Sequence, residues 1–276
     1  MKVKITALLL ALSIVVGILT ADGLNTDSSA EITVLMYHHL TENPSNVSEY
    51  TTLATHFEND LRYLNRHGYT AIGTRELLGF VRGKNELPER AVMITFDDGF
   101  ESVAALGAPI LEKYGMRAVC FLLGEECDRY SETEDHNISY SYLGWEAVGL
   151  LSAGDTLEMQ CHTYSMHELW PRRGCSKMPG ESDADYQRAL TEDIDKFQQK
   201  FYEHTSKKAN ALALPFGSYC DETLEYAADL GFEVIFTCTE KVNTLKPGDA
   251  LPLILGRYNR SGKLSTEEFF KSSGLN

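Results

Sequence analysis

The stretch ITFDDG, residues 94–99, places two adjacent carboxylates and a glycine directly after an apolar run that begins at Ala91. β-Branched and aromatic residues in such a run predict a buried strand. Two like charges repel each other in a partly desolvated place, so Asp97 and Asp98 require either a tight turn or a neighbouring cation. The turn would be a hairpin, since Asp-Gly favours type I′ turns. Helical spacing rather than a second strand follows Gly99, which disfavours the hairpin.

Six further runs of this kind predict strands at 32–38, 118–123, 156–161, 211–214, 233–237 and 253–256. Stretches with helical spacing separate most of them, and we expect left-handed glycine caps just after four helices, at Gly68, Gly115, Gly154 and Gly231. Alternating strands and helices indicate an α/β fold with a parallel sheet, and seven similar units favour an imperfect closed barrel, a distorted (β/α)7 TIM-like barrel. In such barrels the chemistry lies in the loops that follow the strands.

The first residues of the chain predict export. Residues 1–21 contain Lys2 and Lys4 followed by an apolar run, the pattern of a signal peptide or an N-terminal membrane anchor. Residues 22–30 are interpreted as a polar linker and residues 31–276 as one catalytic domain. The domain is therefore expected to be secreted or anchored at the extracellular face of the membrane. A net charge of −15 predicts no nucleic-acid partner.

Six cysteines follow the first thirty residues. An even number in an oxidising compartment permits disulfides, with fifteen complete pairings and none selected by spacing. The alternative is that Cys120, Cys161 and Cys238, which lie in apolar runs, are small buried hydrophobic residues.

The stretch CHTYSMH, residues 161–167, contains two histidines five positions apart. Neither a helix nor a strand brings His162 and His167 to the same face, so the rings converge only if a strand ends near His162 and the chain curls back. One aspartate with two imidazoles would suit Zn²⁺, Co²⁺, Ni²⁺ or Fe²⁺. One carboxylate of the Asp97-Asp98 pair would bind the cation and the other would handle a proton.

Three segments together resemble the signature motifs of the polysaccharide deacetylases, the NodB-type carbohydrate esterases. They are TFDDG at 95–99, the histidine motif at 162–167 and LPFG at 214–217. The opening VLMYHHL at 34–40 and the helical stretch FENDLRYLNRHGY at 57–69 resemble those of the family branch that deacetylates poly-N-acetylglucosamine. The resemblance implies a distorted (β/α)7 barrel, metal ligation by Asp98, His162 and His167, Asp97 as catalytic base, and a backbone N–H of Phe216 as an oxyanion donor.

Two of the departures from the family pattern concern catalytic residues. Ala213 stands where the third motif usually has an arginine, and Arg257 is the expected substitute. No histidine follows His204, although the last motif usually supplies one as general acid. His38 or His39 at the end of the first strand is the candidate, and the similarity to the exopolysaccharide branch favours His38.

These features predict a hydrolase that uses a divalent metal, with Zn²⁺ the first choice, to remove N-acetyl groups from a cell-surface polysaccharide that contains N-acetylglucosamine. Two alternatives stay open: an O-acetyl esterase acting on a xylan-like polymer, and a non-catalytic glycan-binding domain. The polar segment 171–185 follows the histidine motif, so we expect it to border the substrate groove, with a plain connector as the alternative. The sequence leaves the oligomeric state open.

Overall fold

The structure is a computed structural model that describes residues 29–275. The predicted signal or anchor at 1–21 and all but the last two residues of the predicted linker lie outside this range. The first strand starts at Ala30, two residues before the predicted run at 32–38. Within the described range, no helix has both the length and the apolar character needed to cross a membrane.

The chain forms twelve strands and eight α-helices in the described range. The strands are β1 (Ala30–Tyr37), β2 (His39–Thr41), β3 (Thr51–Leu53), β4 (Thr70–Ala71), β5 (Ala91–Phe96), β6 (Ala118–Leu122), β7 (Leu157–Cys161), β8 (Ala211–Ala213), β9 (Val234–Phe236), β10 (Asn243–Leu245), β11 (Leu253–Leu255) and β12 (Tyr258–Asn259). The helices are α1 (Ala54–Arg66), α2 (Thr74–Val81), α3 (Ala108–Lys113), α4 (Gly124–Ser131), α5 (Trp145–Ser152), α6 (Asp183–Thr205), α7 (Asp221–Asp229) and α8 (Thr266–Ser272). A π-helical turn, Val103–Gly107, precedes α3.

Seven parallel strands form the barrel in the order β1-β5-β6-β7-β8-β9-β11, and all seven coincide with predicted runs. The barrel closes through β12, which follows β11 after a two-residue break and pairs in parallel with β1. Asn243 bridges the same seam, because its side chain binds the carbonyls of Ile32 and Gly256 and the N–H of Gly256. The expected distorted (β/α)7 barrel is therefore confirmed.

Alternation along the strands divides the core in two. On β5, Ile94 and Phe96 pack in the layer between the sheet and the outer helices, whereas Met93 belongs to the cluster inside the barrel. Because side chains alternate along a strand, Thr95 and Asp97 continue the inner face towards the barrel mouth. The first carboxylate of the DDG motif is thus directed inward by strand geometry alone.

The sequence predicted five of the eight helices between residues 29 and 275, and it predicted the seven barrel strands but not the short strands β2, β3, β4, β10 and β12. The predicted apolar stripes lie in α1, α3 with its π-helical turn, α5, α6 and α7, while α2, α4 and α8 were not anticipated. Gly68, Gly115 and Gly231 have the positive φ of the expected caps. The expectation for Gly154 is wrong, because the residue after α5 is Ala153 in a right-handed conformation and Gly154 is not left-handed.

All six cysteines are free in the structure. Cys120, Cys127, Cys161 and Cys175 are buried, so the alternative of buried thiols is confirmed for Cys120 and Cys161. Cys238 is exposed, and its interpretation as a buried hydrophobic residue is wrong, because it lies beyond the end of β9 and lines a cleft.

Candidate active site

A cleft of about 1000 Å³ lies at the carboxyl ends of the barrel strands. Six of the seven predicted site residues line it: His38, Asp97, Asp98, His162, His167 and Phe216. The seventh, Arg257, is buried and contacts Asp97 from inside the barrel. The structure therefore brings together residues from four separate strand ends.

The turn after β5 directs both carboxylates to this cleft. Asp98 and Gly99 have φ of 73° and 78°, the left-handed region in which an aspartate is strained. A side chain at Gly99 would also meet Leu122 at 2.8 Å, so this position requires glycine. The hairpin alternative is wrong, because the partners of β5, which are β1, β4 and β6, are all parallel to it, whereas a hairpin needs an antiparallel strand.

The two histidines converge because β7 ends at Cys161 and the chain then curls back. Thr163 has φ of 75°. The carboxylate of Asp193 on α6 accepts hydrogen bonds at 2.8 Å from the backbone N–H groups of Tyr164 and Ser165 and holds the curl in place. The sequence indicated that a curl was needed, but it did not reveal Asp193 as its support.

Asp98, His162 and His167 form a group whose ligand atoms lie within 4.8 Å of one another. Oδ1 of Asp98 is 3.5 Å from Nε2 of His162 and 3.4 Å from Nε2 of His167. Two ligands of one tetrahedral ion, each about 2.1 Å from it, would be about 3.4 Å apart. Oδ1 of Asp98 is also buried without a hydrogen-bond partner among the described residues. An orphaned buried oxygen beside two imidazole nitrogens fits a divalent cation.

The orientation of His162 supports the same conclusion. Its Nδ1 lies 2.8 Å from the carbonyl oxygen of Ala213, to which it must donate. In the neutral ring the lone pair is then on Nε2, which faces Asp98. Burial lowers the pKa of His162, but the charges of Asp97 and Asp98 outweigh it and raise the pKa overall. Burial and the neighbouring His162 lower the pKa of His167.

Asp97 is paired with a buried arginine. The guanidinium of Arg257 donates two hydrogen bonds, Nη1 to Oδ1 at 2.5 Å and Nη2 to Oδ2 at 2.7 Å. Its remaining donors bind the carbonyl of Thr237 and the hydroxyl of Thr95. Burial raises the pKa of Asp97, but the charge of Arg257, with help from His162 and His38, holds it well below the usual range. Asp97 is therefore ionised, and Arg257 occupies the steadying position expected of it.

The two candidate histidines after β1 have different surroundings. β1 ends at Tyr37, one residue before the predicted end. His38 lies near Asp97 and Asp98, its Nδ1 is buried without a partner among the described residues, and its ring packs against Tyr50. His39 instead contacts the carbonyl of Ile138 at 3.0 Å through Nε2. Of the two, His38 is the one that approaches the carboxylates.

The charge state of His38 differs from the expectation that it stays protonated near neutral pH. Burial lowers its pKa, and the raising effects of Asp97 and Asp98 do not compensate. The resting ring is therefore neutral at neutral pH, because the cost of burying a charge exceeds the attraction of the two carboxylates.

Phe216 lies in a tight turn, Pro215–Gly217, after β8. Its φ is 58°. Non-glycine residues with left-handed backbone therefore follow three of the strands around the cleft: Asp98, Thr163 and Phe216. Strained backbone of this kind clusters at functional sites. The Phe216 ring packs 4.4 Å from His167, which fixes the side of the cleft on which its backbone lies.

Sequence reasoning missed the aromatic lining of the cleft. Tyr50, Phe100, Tyr140 and Tyr142 line it; Phe100 directly follows the TFDDG motif, whereas the three tyrosines lie outside every motif. Their only sequence signal was two tyrosines in the otherwise polar segment before α5. From the polar segment 171–185, Arg173 lines the cleft, whereas α6 already begins at Asp183.

Comparisons with known proteins identify the family of this chain. The sequence profile of a family described as polysaccharide deacetylase matches residues 84–235, a range that contains Asp97, Asp98, His162, His167 and Phe216. A poly-beta-1,6-N-acetyl-D-glucosamine N-deacetylase from Staphylococcus aureus (strain MRSA252) is 25% identical over 210 residues, which cover 76% of this chain and 69% of the relative.

Two solved structures share the fold. IcaB from Ammonifex degensii superposes with a TM-score of 0.70 at 25% identity, covering 89% of this chain and 96% of its own. A de-N-acetylase from Aggregatibacter actinomycetemcomitans gives a TM-score of 0.73 at 21% identity, covering 87% of this chain and 100% of its own. At this lower identity the second match supports the fold alone.

Proposed function

Because this chain belongs to the polysaccharide deacetylase family, we propose that it is a metal-dependent hydrolase that removes N-acetyl groups from a polysaccharide containing N-acetylglucosamine. The name of the Staphylococcus aureus relative supports poly-β-1,6-N-acetylglucosamine as the substrate class. The observation that carries the proposal is the orphaned Oδ1 of Asp98 beside two histidine nitrogens, with an ionised carboxylate, Asp97, as the next residue.

Asp98, His162 and His167 would hold the cation, and Zn²⁺ suits this set of one oxygen and two nitrogen donors best, with Co²⁺, Ni²⁺ and Fe²⁺ as substitutes. When bound, such an ion polarises a carbonyl and makes a nearby water more acidic. The remaining steps belong to residues of the chain.

Asp97 is the proposed base. It accepts a proton from the water as the water oxygen forms a bond to the acetyl carbonyl carbon. The ion pair with Arg257 keeps Asp97 unprotonated and holds it where it lines the cleft. The N–H of Phe216 would donate a hydrogen bond to the developing oxyanion, a contact typically worth about 3 to 4 kcal/mol.

His38 is the proposed acid. It gives a proton to the sugar nitrogen as the carbon–nitrogen bond breaks, and the products are acetate and a free amino sugar. Since burial lowers the pKa of His38, only a minor fraction is protonated at neutral pH, but that form is a strong donor. The rate on amides should therefore fall as pH rises above the pKa of His38, while activated aryl acetates, whose leaving group needs no proton, should be less affected.

Acetate release from poly-N-acetylglucosamine after metal removal and reconstitution tests the proposal. We expect chelation to abolish activity and Zn²⁺ or Co²⁺ to restore it. Asp98→Ala should lose both bound metal and activity, because two ligands hold a divalent ion poorly. Full metal occupancy in Asp98→Ala would refute the ligand assignment.

Product analysis separates the alternatives. Free amines must appear in step with acetate if the enzyme is an N-deacetylase, whereas an O-acetyl esterase acting on xylan releases acetate with no new amine. Binding of the polymer without acetate release, in metal-loaded protein, would indicate a glycan-binding domain. We further propose that residues 1–21 export or anchor the domain at the cell surface, which fractionation of cells producing the full chain would test.

A further inference from the structure

Four aromatic residues line the cleft, and we call them the aromatic wall: Tyr50, Phe100, Tyr140 and Tyr142. Tyr50 and Tyr140 expose 57% and 46% of their surface. Large rings that are left in water inside a cleft keep apolar faces available for a ligand.

Contacts with neighbouring residues hold the rings of the aromatic wall in place. Phe100 stacks on Tyr142 with ring centroids 4.4 Å apart, and Tyr142 also packs against Tyr130. The hydroxyl of Tyr140 donates to both carboxylate oxygens of Asp135, at 2.8 and 2.9 Å. These contacts hold the rings before any ligand arrives, which reduces the entropy lost on binding.

The segment 138–143, which carries Tyr140 and Tyr142, is joined to the turn that carries Asp97 and Asp98. The N–H of Glu101 donates to the carbonyl of Ser141 at 2.8 Å, and the N–H of Leu143 donates to the carbonyl of Gly99 at 2.9 Å. His39 holds the segment from the other direction through the carbonyl of Ile138. The wall is therefore continuous with the candidate metal site, and a chain reacting at Asp97 would extend along it.

We infer that Tyr140, supported by the Phe100–Tyr142 stack, binds a neighbouring sugar of the substrate chain, so that the enzyme recognises an oligosaccharide rather than a single sugar. The inference rests on the proposed function. The C–H face of a pyranose is apolar and slightly positive, and it complements the negative face of an aromatic ring. The volume, about 1000 Å³, lies at the upper end of the range for small-molecule sites, which suits several sugars better than one.

Binding of N-acetylglucosamine hexasaccharide and of the monosaccharide, measured by calorimetry, tests this inference without requiring turnover. The measurements use zinc-loaded protein carrying Asp97→Asn, so that the ligand is not hydrolysed. We expect the hexasaccharide to bind more tightly than the monosaccharide. Tyr140→Ala should weaken hexasaccharide binding about 5- to 10-fold, the size of an aromatic contact, and leave monosaccharide binding unchanged.

Two control variants sharpen the result. Tyr140→Phe keeps the ring but loses the two hydrogen bonds to Asp135 that hold it, so it should bind the hexasaccharide more weakly than the parent and more tightly than Tyr140→Ala. Tyr202→Ala removes a tyrosine on α6 that is 55% exposed and does not line the cleft, and it should have no effect. Equal affinity for both ligands, or an unchanged Tyr140→Ala, would overturn the inference, as would equal losses in the Phe and Ala variants. Tight, Tyr140-dependent binding with no acetate release by the zinc-loaded wild type would instead overturn the proposed function.

Discussion

Two buried arginines three positions apart, Arg257 and Arg260, each pair with an aspartate, yet the two pairs do different things. Arg257 binds Asp97, which lines the cleft. Arg260 binds Asp60 of α1, and both side chains are fully enclosed. A buried ion pair is therefore not by itself a sign of function, and what its carboxylate faces decides its role.

The surroundings explain the contrast. Asp60 also accepts hydrogen bonds from Tyr37 and Thr266, and Arg260 donates to the carbonyl of Leu264, so this network joins α1, β1 and the start of α8. Burial raises the pKa of Asp60 more than Arg260 lowers it. Around Asp97 burial also raises the pKa, but the charge of Arg257 and the neighbouring His162 outweigh it. One pair holds the barrel seam together, and the other keeps a base ionised.

The largest effect is expected from Asp60→Asn. It leaves Arg260 charged and unpaired in the interior, so the free energy of unfolding should fall by about 3 to 5 kcal/mol. Chemical denaturation measures this, and turnover per folded molecule should stay at the wild-type value. A large fall in turnover of the remaining folded enzyme would contradict the purely structural role.

Asp97→Asn should show the opposite profile. Turnover should fall by about 10² or more because the base is lost, while bound metal stays near one ion per chain. Turnover per folded molecule, rather than the free energy of unfolding, is what distinguishes this variant from Asp60→Asn, because Arg257 is as fully buried as Arg260. Metal analysis and acetate release on the same sample test it, and retention of wild-type turnover would remove Asp97 from the mechanism.

Arg257→Lys keeps a positive charge but replaces the two-pronged contact with Asp97 by a single point charge. We expect turnover to fall about tenfold and metal content to stay unchanged. Arg260→Lys is the matched control, and it should lower stability without changing turnover. Equal effects of the two substitutions on turnover would show that the pairs do not differ in function.

The smallest effect is a difference in pH dependence, measured as the free energy of unfolding of metal-free protein. Folding lowers the pKa of Asp97. The difference in free energy of unfolding between wild type and Asp97→Asn should therefore be constant down to about pH 4 and shrink below it. Folding raises the pKa of Asp60. The free energy of unfolding of wild type, relative to that of Asp60→Asn, should therefore grow as pH falls from neutral towards about 4. Parallel pH profiles would show that the two carboxylates share one environment.

The sequence by itself determined the seven barrel strands and the identity of the metal-site candidates. Strand runs are local, and alternation from Met93 to Asp97 directs the first carboxylate inward in any barrel. The curl after His162 could likewise be expected, because two histidines at this spacing converge in no regular element.

Only the tertiary structure decided which groups these residues meet. Arg257 and Asp97 are 160 positions apart, and although the sequence predicted Arg257 as the substitute for the missing arginine, only the structure shows its two-pronged contact with Asp97. Closure of the barrel through β12 and Asn243, the support of the histidine curl by Asp193 and the assembly of the aromatic wall all depend on contacts between distant segments. Such contacts form because the closed barrel brings the carboxyl ends of its strands together at one end. That geometry is a property of the whole fold rather than of any single stretch of sequence.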